Sequence, residues 1–226
     1  MQAPRPALVT DPKHFVLTLH FRDESEEMIK SWRAVFHDPR ISELESLKID
    51  VAKGPDTSTA ADIIFIPSNV FGEIPRKYID EFGAKIQQEI NDYITNKCSG
   101  YLSIGKVIFV NMAKYSQAYR LAAIVATTVA VETHHPAAYP LADYTAFKAF
   151  LDAIQTYNNH KPTKIRSVCC PALSTEVPFR SAFQIRVAID GYLCLGFVGR
   201  TLKQRKELQT LMITVSRPCN IRTLYP

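Results

Sequence analysis

The most constraining feature of the sequence is an alternation between short apolar runs and longer stretches with helical periodicity. The run Ile63 to Ile66 is apolar at four consecutive positions, which is typical of a strand buried on both faces of a sheet. After Pro75, apolar side chains instead recur every three or four residues, which is typical of a helix. A chain that alternates these two patterns folds as a sheet covered by helices.

The alternation extends over most of the chain. Strands are predicted at His14–Phe21, Leu47–Val51, Ile63–Ile66, Val107–Val110, Leu121–Val125 and Lys164–Cys170. Helices are predicted after a cap at Asp23 or Ser25, from Pro75 to Ile94, over Pro140–Tyr157 and over Pro178–Leu195. The predicted fold class is α/β, with three layers in which a central mixed sheet carries helices on both faces.

Length and composition indicate one large domain. The chain has 226 residues, of which 46% are hydrophobic, enough to bury a full core. We predict an N-terminal extension at 1–13, a domain at 14–199 and a basic C-terminal segment at 200–226. That segment has six basic residues and one acidic residue, so it accounts for the whole formal net charge of +5. Its apolar residues favour packing on the domain, and contact with nucleic acid or an acidic partner is the alternative.

Several classes of protein are excluded by what the sequence lacks. The first twelve residues do not resemble a signal peptide, and no apolar run approaches the roughly 18 residues of a membrane span. The five cysteines form no zinc-type spacing, and His134–His135 has no third ligand at useful spacing. We therefore expect an intracellular protein, cytoplasmic or nuclear, with reduced thiols, no metal and no cofactor.

Two segments carry a resemblance to a known family. The run Ala61–Gly72 (ADIIFIPSNVFG) resembles the macro-domain segment in which Asp-Ala-Ile-Val precedes Pro-Ala-Asn and then Ser-Phe-Gly. About a hundred residues later, Val168–Val177 (VCCPALSTEV) resembles the family's strand that ends in Pro-Gly-Leu-Gly-Thr-Gly. The resemblance covers roughly Phe15 to Leu195, and it implies the macro fold, which binds ADP-ribose.

The resemblance also implies a ligand site. In α/β sheets a ligand crevice forms at the carboxyl ends of the strands, which directs attention to the loops Pro67–Ile74 and Pro171–Pro178. Asp50 matches a family aspartate at the end of the second strand that accepts a hydrogen bond from the adenine amino group. Asn69 matches an asparagine near the distal ribose. Local sequence alone leaves two alternatives open: Asp50 as a turn former, and Asn69 as an Asx turn.

The remaining predicted site residues lie in or beside the same loops. The ligand-binding set also includes Val51, Phe71, Gly72, Ser174, Thr175, Glu176, Val177 and Phe179. The Ser174 and Thr175 amides are placed to bind phosphate at a helix start. Phe71 and Phe179 either stack on the ligand or fill the core beneath their loops. Glu176 either faces the diphosphate, where it would repel it, or supplies a favourable charge at the helix start.

Two departures from the family pattern bear on function. The first loop has only Gly72-Glu73 before Ile74-Pro75, so the family's glycine run and its catalytic residue are missing. In the second loop Ser174-Thr175-Glu176 replaces Gly-Thr-Gly. We interpret the chain as a divergent domain that binds ADP-ribose or a related adenine nucleotide, free or on a modified protein, without efficient catalysis.

Two other functions stay open. One is an ADP-ribosyl hydrolase in which Glu73 or Glu176 takes over catalysis. The other is a degenerate scaffold that contacts protein or nucleic acid, since a chain with only eight glycines has few to build a phosphate cradle.

Overall fold

A computed structural model describes residues 16–37, 47–128 and 141–196, with side chains through Tyr192. In chain order its elements are β1 (Leu17–Asp23), α1 (Glu26–Phe36), β2 (Leu47–Lys53), β3 (Ala61–Asn69), α2 (Arg76–Phe82), α3 (Lys85–Lys97), β4 (Val107–Asn111), β5 (Tyr119–Thr128), α4 (Ala142–His160), β6 (Ser167–Cys170) and α5 (Pro178–Gly196). The extension at 1–13, the basic segment at 200–226 and the His134–His135 pair lie outside the described residues. The predicted domain limits therefore stay predictions.

The described strands form one mixed sheet in the order β2-β1-β6-β3-β5-β4. All neighbouring strands are parallel except β4 and β5, which are antiparallel. Strands β3 and β6, which precede the two candidate loops, are direct neighbours. Because parallel strands end at the same edge of a sheet, both loops leave from that edge, which we call the carboxyl edge.

Helices cover both faces of the sheet. Helices α1, α4 and α5 bury their apolar side chains against one face, where Phe21 packs with Trp32 and Phe147 at ring-centroid distances of 5.2 and 5.9 Å. Helices α2 and α3 bury theirs against the other face, with Tyr78 and Ile90 among them. The predicted three-layer α/β architecture is confirmed. None of the described helices has the length and apolar character needed to cross a bilayer.

Strand β3 lies in the middle of both cores, as its sequence predicts. Ile63 and Phe65 pack on one face while Ile64 and Ile66 pack on the other, and all four are fully buried. The strand continues through Asn69, so the prediction that the first loop begins at Pro67 is wrong. The register places the end of β6 level with Phe65, and beyond it β3 pairs only with β5. A proline that lacks its N–H is tolerated where one flank of the strand is unpaired.

The helix predicted from Pro75 to Ile94 is in fact two helices. Pro75 is the N-cap of α2 rather than its first residue, and α2 ends before Gly83, whose φ is 86°. A glycine in the left-handed region stops a helix and redirects the chain. Tyr93 of α3 is exposed, whereas Ile86, Ile90 and Ile94 of the same helix are buried. Strand β6 is also shorter than predicted and begins at Ser167.

The first helix follows the predicted pattern. Ser25 is its N-cap and accepts a hydrogen bond from the Met28 N–H at 3.3 Å. Asp23, the other candidate cap, instead ends β1 and accepts a hydrogen bond from the Ser25 N–H at 2.7 Å. Its backbone oxygen also accepts from the Gly54 N–H at 3.1 Å. Asp23 therefore forms hydrogen bonds with both the β1–α1 connection and the β2–β3 connection at the carboxyl edge.

Candidate functional site

Asn69 organises the first loop, Val70–Pro75, which we call loop 70–75. Its side-chain oxygen accepts hydrogen bonds from the backbone N–H groups of Phe71 and Glu73, at 2.9 and 3.0 Å. Its side-chain nitrogen donates to Glu73 Oε2 at 2.6 Å. The Asx-turn alternative is therefore what the structure contains. An amide oxygen has two lone pairs, so Asn69 retains one N–H and no free acceptor for a ligand.

Gln87, on α3, fixes the same loop from the other side. Its side-chain nitrogen donates to the Gly72 carbonyl oxygen at 2.9 Å, and its oxygen accepts from the Ile74 N–H at 3.0 Å. Because these two bonds are made to the residues on either side of Glu73, they hold the Glu73 backbone in one orientation. Gln87 was not predicted from the sequence. In the sequence Gln87 is one of several polar residues of α3, so nothing there marks it as the residue that anchors the loop.

Gly72 lets loop 70–75 lie directly on α3. Its φ is 81°, and a Cβ at this position would lie 2.1 Å from Ile94 Cδ1 and 3.0 Å from Ile90 Cγ2. Its role in the structure is therefore close packing. Phe71, next to it, is 55% exposed, so its ring does not fill the core beneath the loop. Tyr101 is 60% exposed on the neighbouring loop, where the Leu102 N–H donates to the Val70 carbonyl oxygen at 2.6 Å.

The second loop, Pro171–Val177, which we call loop 171–177, is anchored by a buried carboxylate. Ser174 donates its hydroxyl to Asp143 Oδ1 at 2.9 Å, and Asp143 is buried in the first turn of α4. Burial raises the pKa of Asp143, while the Ser174 hydroxyl and the charge of Arg180 act in the opposite direction. Asp143 was not identified from the sequence.

The residues predicted to bind phosphate lie just before α5. Ser174, Thr175 and Glu176 are exposed, whereas Val177 and Phe179 are half-buried. Helix α5 begins at Pro178 and has 19 residues. The amino end of a helix of this length carries a partial positive charge and unpaired N–H groups, which favour an anion. Glu176 places its carboxylate at the same end.

Asp50 lies elsewhere than the resemblance implies. It is in the middle of β2, which continues to Lys53. Its Oδ2 contacts the buried Arg22 guanidinium and lies 3.0 Å from Nδ1 of His20 on the neighbouring strand. These two contacts, Arg22 first and then His20, lower the pKa of the Asp50 carboxyl. The side chain is 48% exposed, so it is a paired surface carboxylate and not a turn former.

The strand register separates Asp50 from the first loop. His20 aligns with both Asp50 and Cys169, and Cys169 aligns with Ile64. Asn69 lies five residues farther along β3 than Ile64. At about 3.3 Å per residue and about 4.8 Å per strand spacing, Asn69 is roughly 20 Å from Asp50. Val51 faces the core that contains α1. The structure thus brings loops 70–75 and 171–177 together at one edge but leaves Asp50 and Val51 away from them.

Another carboxylate does lie at the carboxyl edge. Phe21 aligns with Cys170, the last residue of β6, so Asp23 lies two residues beyond the end of that strand. This register places Asp23 beside loop 171–177, on the side away from β3. From the sequence, Asp23 was predicted only as a candidate helix cap. Within the described ranges, no three His, Cys, Asp or Glu side chains are grouped to hold a metal ion.

Comparison with solved structures identifies the fold. A macrodomain of Oceanobacillus iheyensis with MES bound superimposes with a TM-score of 0.51 and 15% identity, over 72% of this chain and 88% of that chain. A mutant of the same macrodomain with ADPR gives 0.51 and 15%, over 72% and 90%, and the form with ADP gives 0.50 and 15%, over 72% and 88%. No family model and no curated protein matches the chain. The chain therefore has the macrodomain fold, as its two motifs predict.

Proposed function

We propose that this domain binds ADP-ribose, or a related adenine nucleotide, at the carboxyl edge between loop 70–75 and loop 171–177. The observation that carries the proposal is the adjacency of β3 and β6, which sets the two loops side by side. Structures with the same fold hold ADPR and ADP.

The start of α5 is the proposed diphosphate site. Among the described residues, none accepts a hydrogen bond from the backbone N–H of Thr175 or Glu176. Free N–H groups before a 19-residue helix attract an anion through both hydrogen bonds and the helix dipole. Ser174 is held by Asp143 at 2.9 Å, which fixes the backbone of the loop before a ligand arrives. A loop fixed in advance loses less entropy on binding.

We place the adenine of the bound nucleotide at Asp23 rather than at Asp50. One oxygen of Asp23 accepts from the Ser25 N–H, and the other supplies an acceptor for an exocyclic amino group. Asp50 is committed to Arg22 and His20 on the sheet face. The nucleotide would then extend from Asp23, past Ser174–Glu176, to Asn69.

Two features of the first loop support our proposal of binding without efficient turnover. Asn69 uses its side-chain oxygen within the loop, and Pro75 is the N-cap of α2 where hydrolysing relatives are expected to have a catalytic residue. The alternative is hydrolysis with Glu73 as the reassigned acid or base, since its carboxylate is fixed 2.6 Å from the Asn69 nitrogen. ADP-ribose release from a modified protein that is lost in Glu73→Gln would support this alternative.

Calorimetry with two charge variants tests the binding proposal. Glu176→Gln removes a carboxylate from the diphosphate site and should strengthen ADP-ribose binding about fivefold. Thr175→Glu adds a carboxylate there and should weaken binding about fivefold. Both values follow from roughly 1 kcal/mol per charge pair in water-like surroundings. Both residues are exposed, so the fold tolerates the changes. Asp152→Asn, which changes a half-exposed carboxylate that pairs with Lys148 nine residues beyond Asp143 on α4, is the control. Absence of heat at millimolar ADP-ribose, or equal affinities in all four proteins, would contradict the proposal.

A further inference from the structure

Phe71 is an exposed aromatic ring on a rigid loop. The backbone on either side of it is fixed, because the Val70 N–H donates to Thr128 at 2.9 Å and the Gly72 N–H donates to Asn69 at 3.0 Å. Its own N–H is bonded to the Asn69 side chain at 2.9 Å. The ring is nevertheless 55% exposed. A fixed loop that presents an apolar ring to solvent offers a preformed contact surface.

Glu73 is fixed on the same turn, two residues away. Its N–H donates to the Asn69 side chain at 3.0 Å, and its carbonyl oxygen accepts from the Asn69 N–H at 3.1 Å. Gln87 bonds to both of its neighbours, Gly72 and Ile74. One carboxylate oxygen accepts from the Asn69 nitrogen, which leaves the other oxygen for an incoming donor.

A second aromatic side chain belongs to this surface. Tyr101 is 60% exposed, and its loop is joined to loop 70–75 by the Leu102–Val70 hydrogen bond of 2.6 Å. With about 3.8 Å between consecutive Cα atoms, that bond keeps the Cα atoms of Phe71 and Tyr101 within roughly 13 Å. The rings of Phe71 and Tyr101 and one carboxylate oxygen of Glu73 therefore lie on two adjoining turns. These turns are at the carboxyl edge, next to Asn69.

The chemistry of this group selects a cation. Aromatic faces attract cations, and a carboxylate oriented by a hydrogen bond accepts strongly from a charged donor. A guanidinium suits the group better than an ammonium, because it is flat, stacks on rings and keeps its charge. An anionic or purely aliphatic side chain gains nothing from Glu73.

We propose that Phe71, Glu73 and Tyr101 form a binding site for the arginine side chain to which ADP-ribose is attached. The inference rests on the proposed function, because it places the protein-linked end of the ligand beyond Asn69. The inference also names a ligand class. The domain should bind arginine-linked ADP-ribose in preference to ADP-ribose on an uncharged side chain.

Two matched peptides test this site. They have the same sequence and carry one ADP-ribose, linked to arginine in one peptide and to serine in the other. Fluorescence polarisation should give the wild type an affinity about five to ten times higher for the arginine-linked peptide, the order expected for one cation–aromatic contact and one charge-assisted hydrogen bond. Glu73→Gln and Phe71→Ala should each bring the ratio of the two affinities to between one and two.

The matched control is Tyr93→Ala. Tyr93 is also exposed. It lies one helical turn from Glu89, which accepts a hydrogen bond from Tyr115, and this flank of α3 is not the one that carries Gln87. This variant should keep the wild-type ratio, and thermal melts should show all three variants folded.

The outcomes separate the two proposals. Equal wild-type affinities for the two peptides, or a preference that survives Glu73→Gln, overturn the arginine site while ADP-ribose binding stands. If neither peptide nor free ADP-ribose binds, the proposed function fails and this inference fails with it.

Discussion

Replacing Gly72 with alanine should destabilise the domain through two separable effects. The residue has a φ of 81°, and an L-residue in that region costs about 1–2 kcal/mol. A Cβ would also lie 2.1 Å from Ile94 Cδ1, so that side chain must leave its position at a further cost of about 1–3 kcal/mol. The expected loss in the free energy of unfolding is therefore about 2–5 kcal/mol. Urea denaturation measures it.

Two matched variants separate the effects. Gly83 has a φ of 86° and a ψ of 156° but no atom within 4 Å of its added Cβ, so Gly83→Ala should cost only the backbone part, about 1–3 kcal/mol. Ile94→Val removes the Cδ1 atom itself. In that background the added Cβ still meets Ile90 Cγ2 at 3.0 Å but no longer meets Cδ1, so Gly72→Ala should cost about 1–3 kcal/mol less than in the wild type, which is the coupling energy between positions 72 and 94. Additive effects of Gly72→Ala and Ile94→Val would refute the close packing of loop 70–75 on α3.

Three further predictions concern buried polar groups. Tyr78→Phe removes the hydroxyl that donates to Asp56, a carboxylate that is only 6% exposed, and should lower the free energy of unfolding by about 1–3 kcal/mol in urea titrations. Because burial raises the pKa of Asp143, its contribution to stability is present at acid pH and is lost as the pH rises through its folded-state pKa. Asp143→Asn should accordingly be more stable than the wild type at neutral pH, with the difference closing in acid; a constant difference would contradict this. Burial raises the pKa of Cys169 to about 12, so mass mapping after thiol labelling at pH 8 should find Cys98 modified before Cys169.

The layers of the fold could be predicted from the sequence because buried faces of strands and helices require apolar residues at regular spacing. Ile63–Ile66 packs on both faces of the sheet as its four apolar residues indicate. Gly83 separates α2 from α3, but the apolar stripe continues through both helices, so the stripe alone predicts one helix. Periodicity reports which face is buried and not whether the backbone is continuous.

The site was harder to predict because its contacts join distant residues. The motif placed Asn69 directly before the correct loop, but the shape of that loop depends on Glu73 and on Gln87, which the motif does not include. The alignment with the family placed Asp50 at a strand end, whereas β2 continues to Lys53. Where a strand ends is set by its neighbours, so a short motif does not carry that information.

Backbone NMR during an ADP-ribose titration tests most directly where the ligand binds. The account predicts that the largest amide shift changes fall on Thr175 and Glu176, with smaller ones at Asp23 and in loop 70–75. Shift changes centred on Asp50 and its partners His20 and Arg22, or none at millimolar ligand, would contradict it.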